Sequence, residues 1–241
     1  MIELQHLTVG YGEQAVLSDI NQTLDAGQLI CLLGSNGVGK STILRTLAGF
    51  LPPLAGKVLI EGRDLPSLSL SERSKVVSVV LTERVEVPYM KVIDLVGMGR
   101  SPYTGFFGTL TKEDKDIVDE AIEMVGISSL AKRTIDTLSD GERQKALLAK
   151  ALAQQTPIIL LDEPTAFLDF HAKASTLRLM LRLAHETNKT ILLSTHDVGM
   201  ALRLSDLLWI VQDGLISKGT TASLTENGVL KDFLQGEEAF L

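Results

Sequence analysis

The run Gly34-Ser35-Asn36-Gly37-Val38-Gly39-Lys40-Ser41 constrains this chain more than any other feature. It fits the spacing G-x-x-x-x-G-K-S/T. An apolar run, Leu29-Ile30-Cys31-Leu32-Leu33, precedes it, and a helical pattern from Lys40 to Ala48 follows. Glycines at this spacing let a loop curl until successive backbone N–H groups face one anion. The helix behind the loop turns its N-terminus, the positive end of its dipole, toward the same anion. Lys40 is then placed to reach the β and γ phosphates of a nucleotide, and Ser41 to bind Mg²⁺. Gly34, Ser35, Asn36, Gly37, Val38, Gly39, Lys40, Ser41 and Thr42 are the predicted nucleotide contacts. The plain alternative, a Gly-rich strand-to-helix turn without a ligand, fits these flanks poorly.

The rest of the chain reads as strands, then helices, then strands again. Ile2 to Val9 and Ala15 to Leu24 have strand composition and are separated by Gly10-Tyr11-Gly12, a turn signal. Lys57 to Ile60 and Val76 to Leu81 read as further strands. From Val92 to Leu152 the pattern is helical, with Ile117, Ala121, Met124 and Val125 on one face of a helix ended by Gly126. After Pro157 come three continuous apolar runs: Ile158 to Leu161, Thr190 to Ser194 and Leu207 to Val211. A helix from about His171 to His185 joins the first two. Alternating strands and helices predict a parallel sheet with crossover helices.

Two of those strands end in chemistry. Ile158 to Leu161 runs into Asp162-Glu163-Pro164-Thr165, which places two carboxylates at the C-terminal edge of the sheet, where open α/β sheets bind ligands. Asp162 is the predicted Mg²⁺ partner and Glu163 the general base that polarises the attacking water. Ser194-Thr195-His196-Asp197 ends the next strand, and His196 is placed to orient that water. His6, His171 and His185 have no such context and receive no role. Cys31 reads as a small buried apolar residue.

Composition narrows the partners. The chain has 241 residues, with 23 Lys and Arg against 30 Asp and Glu, a net charge of −7. This balance disfavours nucleic acid as a bulk electrostatic partner. A single cysteine leaves no intrachain disulfide. The first residues lack the basic start and apolar run of a signal peptide, and every apolar run is far short of the ~20 residues that span a bilayer.

Leu138-Ser139-Asp140-Gly141-Glu142 opens a strong helix. Ser139 is a candidate N-cap and Glu142, three residues on, completes a capping box. A Ser-x-Gly helix start is also a second anion site, with free N–H groups and a hydroxyl. One nucleotide needs one cradle, so a second such site points to a second subunit.

With these residues the sequence resembles the ATP-binding-cassette ATPases. Leu138 to Glu142 is similar to the family signature LSGGQ, Gly34 to Ser41 to Walker A, and Ile158 to Asp162 followed by Glu163 to Walker B. Ala166-Phe167-Leu168-Asp169 resembles the D-loop, and His196 the switch histidine. The motifs stand in family order over almost the whole chain. The resemblance implies a P-loop NTPase fold: α/β, with a mostly parallel core sheet, an N-terminal antiparallel β part and a helical subdomain. Residues 1–241 would form one cassette, with a sheet lobe about 1–81 and 157–241 and a helical lobe about 82–156. It implies ATP and Mg²⁺ as cofactors and a head-to-tail homodimer in which Ser139 and Gly141 of one copy complete the other's ATP site. Tyr11 takes the place of an aromatic that stacks on adenine; the local alternative is a turn tyrosine.

Three positions depart from the pattern. Asp140 replaces a usual Gly and Glu142 a usual Gln. The Q-loop glutamine is absent, and Thr82, with Glu83 beside it, takes its place, so Thr82 or Glu83 is the expected substitute for its metal contact. Met90-Lys91-Val92-Ile93-Asp94-Leu95-Val96-Gly97-Met98-Gly99-Arg100-Ser101-Pro102-Tyr103 is similar to a stretch of importers for iron–siderophore complexes, haem and cobalamin, with Lys91 and Asp94 replacing Thr and Glu. In that family this surface receives a coupling helix. The implied partners are two membrane permease subunits and, indirectly, a solute-binding protein, with the chain peripheral on the cytoplasmic face of the inner membrane. A soluble ATPase of the same family that serves cofactor assembly without transport is the alternative.

Overall fold

The computed structural model describes residues 2–81, 88–105 and 107–238. Thr82 and Glu83 lie outside the described residues. A parallel sheet divides the molecule into two cores. Its order is β10-β9-β3-β8-β7-β6, from β3 (Leu29–Leu33), β6 (Val77–Val80), β7 (Ile158–Leu161), β8 (Thr190–Ser194), β9 (Leu207–Gln212) and β10 (Leu215–Gly219). Only β10 runs antiparallel, at one edge. Successive strand residues face opposite sides. Leu29, Cys31 and Leu33 therefore enter one core while Ile30 and Leu32 enter the other. That is why these runs are continuously apolar rather than alternating. Each fully buried Leu or Ile contributes roughly 1.5–3 kcal/mol. Burial also pushes the Cys31 thiol up to about 12, consistent with an inert packing residue.

One core is closed by a second, antiparallel sheet of order β2-β1-β4-β5: β1 (Ile2–Tyr11), β2 (Gln14–Leu24), β4 (Ala55–Ile60) and β5 (Arg63–Asp64). Helix α1 (Lys40–Leu47) contributes Ile43, Leu44 and Leu47 to the same core, around the fully buried Trp209. The other core is filled by helices. They include α3 (Val92–Gly97), α4 (Lys112–Met124), α5 (Asp140–Ala153), α6 (Phe170–Thr187) and α7 (Val198–Leu204). Several elements depart from the sequence reading, two helices among them. Leu70–Val76 is a helix, α2, and the following strand begins at Val77 rather than Val76. Helix α4 starts at Lys112, capped by Thr111 in a capping box with Asp114. The tail forms two short helices, α8 (Thr221–Glu226) and α9 (Val229–Glu238).

The segment after α3 is a joint. A Cβ on Gly99 would stand 2.3 Å from the Lys150 carbonyl, so only glycine lets this turn sit on α5. Arg100, 5% exposed, donates from Nε to Asp114 Oδ1 at 2.9 Å. From one terminal nitrogen it donates to the Ala153 carbonyl at 2.8 Å and to Gln155 Oε1 at 2.9 Å. The Tyr103 ring lies 4.1 Å from its guanidinium carbon, and the Tyr103 hydroxyl donates to the Gln154 carbonyl at 3.1 Å. Gln154 Nε2 in turn donates to the Ser74 and Val77 carbonyls at 2.7 and 3.2 Å. The C-terminal end of α5 is thus bolted to α3, α4 and the start of β6.

Candidate functional site

Strand order builds the site. β8 lies between β3 and β7, so the C-terminal ends of these three strands stand side by side. β3 leads into the Gly34–Gly39 loop, β7 into Asp162-Glu163, and β8 into Thr195-His196. In the loop, Gly39 precedes α1 at φ 108, and a Cβ there would meet Val16 Cγ1 at 2.6 Å. The loop therefore seats against β2 in a conformation closed to other residues. Tyr11 ends β1 in the same hairpin, opposite Gln14, and is 49% exposed.

Lys40 is buried and folds its ammonium over the loop, donating to the Gly34 and Ser35 carbonyls at 2.7 and 2.9 Å. Ser41 Oγ donates to Asp162 Oδ1 at 3.1 Å. Ser194 Oγ donates to the same oxygen at 2.7 Å and accepts the Glu163 N–H at 2.8 Å. Glu163 sits at φ 46, a left-handed conformation that costs a side-chain-bearing residue of order 1–3 kcal/mol. His196 Nε2 lies 2.5 Å from Glu163 Oε1. An ionised carboxylate only accepts, so the imidazole donates. A cleft of about 390 Å³ opens beside this pair, lined by Glu163, Thr165, Lys173, Thr195, His196 and Asp197 among others.

The structure thus joins Lys40, Ser41, Asp162, Glu163 and His196 in one place. Ser194 was not singled out from the sequence, although it stands in the quoted Ser194-Thr195-His196-Asp197 run. Its signal is position, at the end of the strand between the cradle and the carboxylates. The oxygens of Ser41 and Asp162 suit Mg²⁺, a hard cation that takes few protein ligands beside substrate phosphates.

The other predicted group lies apart from the cradle. Ser139 caps α5 and, among the described residues, its side chain bonds only with Glu142, in a full capping box. The Ser139 backbone N–H and then its hydroxyl, with Arg133 and Lys145 further off, hold the Glu142 carboxyl below its ordinary range. A Cβ on Gly141 would stand 3.9 Å from Leu168 and from Ala172, so the α5 start packs on the D-loop of its own chain. Asp169 is the N-cap of α6, accepting the Ala172 N–H at 2.9 Å.

A parallel sheet with a glycine cradle on one strand and a carboxylate pair on another defines a P-loop nucleotide hydrolase. A family model described as ABC transporter matches residues 17–166. The chain belongs to that family, and it carries the ATP-hydrolysing cassette. It is 36% identical to the iron(3+)-hydroxamate import ATP-binding protein FhuC of Bacillus subtilis, over 97% of this chain and 87% of that one. Among solved structures it resembles a putative metal-chelate type ABC transporter in an inward-facing conformation. That match has 28% identity and a TM-score of 0.80, and it covers 92% of this chain and 84% of that chain. It also resembles a dimeric ATP-binding cassette in a post-hydrolysis state bound to ADP and Pi. There the identity is 25% and the TM-score 0.76, over 92% of this chain and 99% of that one.

Proposed function

We propose that this chain is the ATPase subunit of an importer that takes up a metal chelate, an iron–siderophore complex, haem or cobalamin, through separate membrane subunits. The observation that carries the ATPase half is the hydrogen-bonded string Ser41–Asp162–Ser194–Glu163–His196 beside Lys40. The whole chain acts as one cassette, with a sheet lobe about 1–81 and 157–241 and a helical lobe about 82–156. It sits on the cytoplasmic face of the membrane; among the described residues no helix is long and apolar enough to cross it.

The chemistry follows from the geometry. The loop N–H groups, the α1 N-terminus and Lys40 bind the phosphates. Ser41 and Asp162 are the residues that would hold Mg²⁺, with Thr82 or Glu83 as a further contact; when bound, the ion neutralises charge on the phosphates. Glu163 accepts a proton from the attacking water, and His196 fixes the orientation of that carboxylate. Ser139 and Gly141 reach the γ-phosphate held by a second copy, with Leu138, Asp140 and Glu142 flanking them and Asp169 beside the joint. ATP binding closes the head-to-tail dimer, and hydrolysis reopens it.

The coupling surface is the groove of about 440 Å³ lined by Ile93, Met98, Leu110 and Val118. Met98 is 48% exposed on its rim. An apolar groove on a helical lobe suits an amphipathic helix from the membrane subunit.

Glu163→Gln tests the reading. Turnover should fall by about 10²–10⁴-fold, the contribution of a positioned base, while ATP binding persists and a dimer accumulates. Rapid hydrolysis by that variant would remove Glu163 from the role of base. Co-purification with a polytopic membrane protein, and chelate uptake lost on deletion and restored by the gene, test the importer half. Normal chelate uptake without the gene would favour a soluble ATPase.

A further inference from the structure

We propose that Glu142 sets the ATP threshold for dimer closure, by holding the Ser139 hydroxyl that the other copy's γ-phosphate needs. The inference rests on the closure reading given above and assigns that same site a positioning residue.

The Ser139 N–H and the Ser139 hydroxyl both donate to one oxygen, Glu142 Oε2, each at 2.9 Å. The Glu142 N–H donates back to Ser139 Oγ at 3.3 Å. A hydroxyl has one proton, and an ionised carboxylate can only accept. Both Ser139 donors are therefore committed within the helix start. Phosphate oxygens are acceptors too. A γ-phosphate arriving from the second copy asks for the hydroxyl proton, one of the two protons that the carboxylate already holds.

The two anions cannot share that proton. Placed together at one helix end, they repel across a distance of a few ångströms. The carboxylate is an incumbent ligand of the helix N-terminus, favoured there by the dipole just as phosphate would be. Closure therefore requires the Glu142 side chain to swing off Ser139. The charged groups facing it, Arg133 and Lys145, favour its ionised form and so strengthen the incumbent.

A glutamine at this position keeps the box. Its amide oxygen accepts the same two hydrogen bonds, but without charge assistance, which makes them roughly half as strong. The exchange of donors from side chain to phosphate then costs less, and Asp140 is the one acidic residue left in the first turn of the helix. Glu142 thus acts through Ser139 and touches no reacting atom.

The test uses full-length protein in the Glu163→Gln background, where ATP is bound without turnover. Dimer is measured by sedimentation across an ATP titration, for Glu163→Gln alone and with Glu142→Gln added. The double variant is expected to reach half-dimer at about tenfold lower ATP, the scale set by exchanging a charge-assisted for a neutral bond. Two readouts separate this from a merely structural cap. Monomer ATP affinity should be unchanged by Glu142→Gln, and the thermal midpoint should fall only slightly, because a weaker box survives. Glu142→Ala, which deletes the box, should lower the thermal midpoint and also lower the ATP threshold. Absence of any ATP-dependent dimer in Glu163→Gln alone overturns the closure reading, and this inference with it. A dimer whose threshold Glu142→Gln leaves unmoved or raises overturns this inference alone.

Discussion

Ser41, Asp162, Glu163, Ser194 and His196 come from three neighbouring strand ends or the turns after them and bond across the gaps between them. Ser139 and Glu142 come from one turn of one helix and bond only along it. The cradle half is held in place by the fold: its strained Glu163 and its shared Asp162 oxygen depend on a sheet that is buried on both faces. The signature half is self-sufficient. Its donors are satisfied locally, so nothing in the monomer obliges them to take part in catalysis. The difference teaches where regulation belongs in such a site. In the reading proposed above, the half fixed by long-range packing would supply the chemistry, and the half fixed by local bonds would supply the switch.

Substitutions can break or sharpen this contrast. After Glu163→Gln, the largest effect is expected from Ser139→Ala. Losing the cap should cost the fold only about 1 kcal/mol, measured by denaturant unfolding. Turnover should nevertheless fall by about 10²–10³-fold, the scale for one phosphate or oxyanion donor. A large stability loss with small kinetic loss would make the signature merely structural. Ser194→Ala inverts the pattern. It strips a donor from Asp162 and strands the Glu163 N–H, so stability should drop by about 1–3 kcal/mol and kcat by about tenfold, with ATP affinity little changed. Unaltered stability and kcat would show that Glu163 holds its conformation without Ser194. Tyr11→Ala is the smallest. If the ring stacks on adenine, ATP affinity weakens by about 1–2 kcal/mol, read by nucleotide titration; no change returns Tyr11 to a local role.

The cradle was legible in the sequence because its spacing dictates backbone geometry, and glycine, lysine and serine each have one place in it. Asp162 and Glu163 were legible because a doubly buried strand has to end somewhere, and its first polar residues mark the edge. Ser194 was not, since its role comes from β8 lying between β3 and β7, a neighbour relation that no local pattern encodes. Helix α2 was missed for a plain reason: none of its residues is buried, so no apolar period announces it. Strand β10 is half exposed at a sheet edge and gives as weak a signal. Arg100 stood in a stretch read as a docking surface. Its burial depends on Asp114, Ala153 and Gln155, which arrive from two other elements. The groove beside it is lined by Ile93, Met98 and Leu110.

That Arg100 joint makes α5 a lever. The helix is clamped at its C-terminal end, through Ala153, Gln154 and Gln155, to the elements that border the groove and the sheet. Its 14 residues extend roughly 21 Å at 1.5 Å per residue. Ser139 rides at the far end. A tilt of about 10° at the clamp carries that hydroxyl through roughly 4 Å, more than the length of a hydrogen bond. Under the closure proposed above, a small tilt of α5 would carry Ser139 toward or away from a second copy without disturbing the strands that hold Glu163.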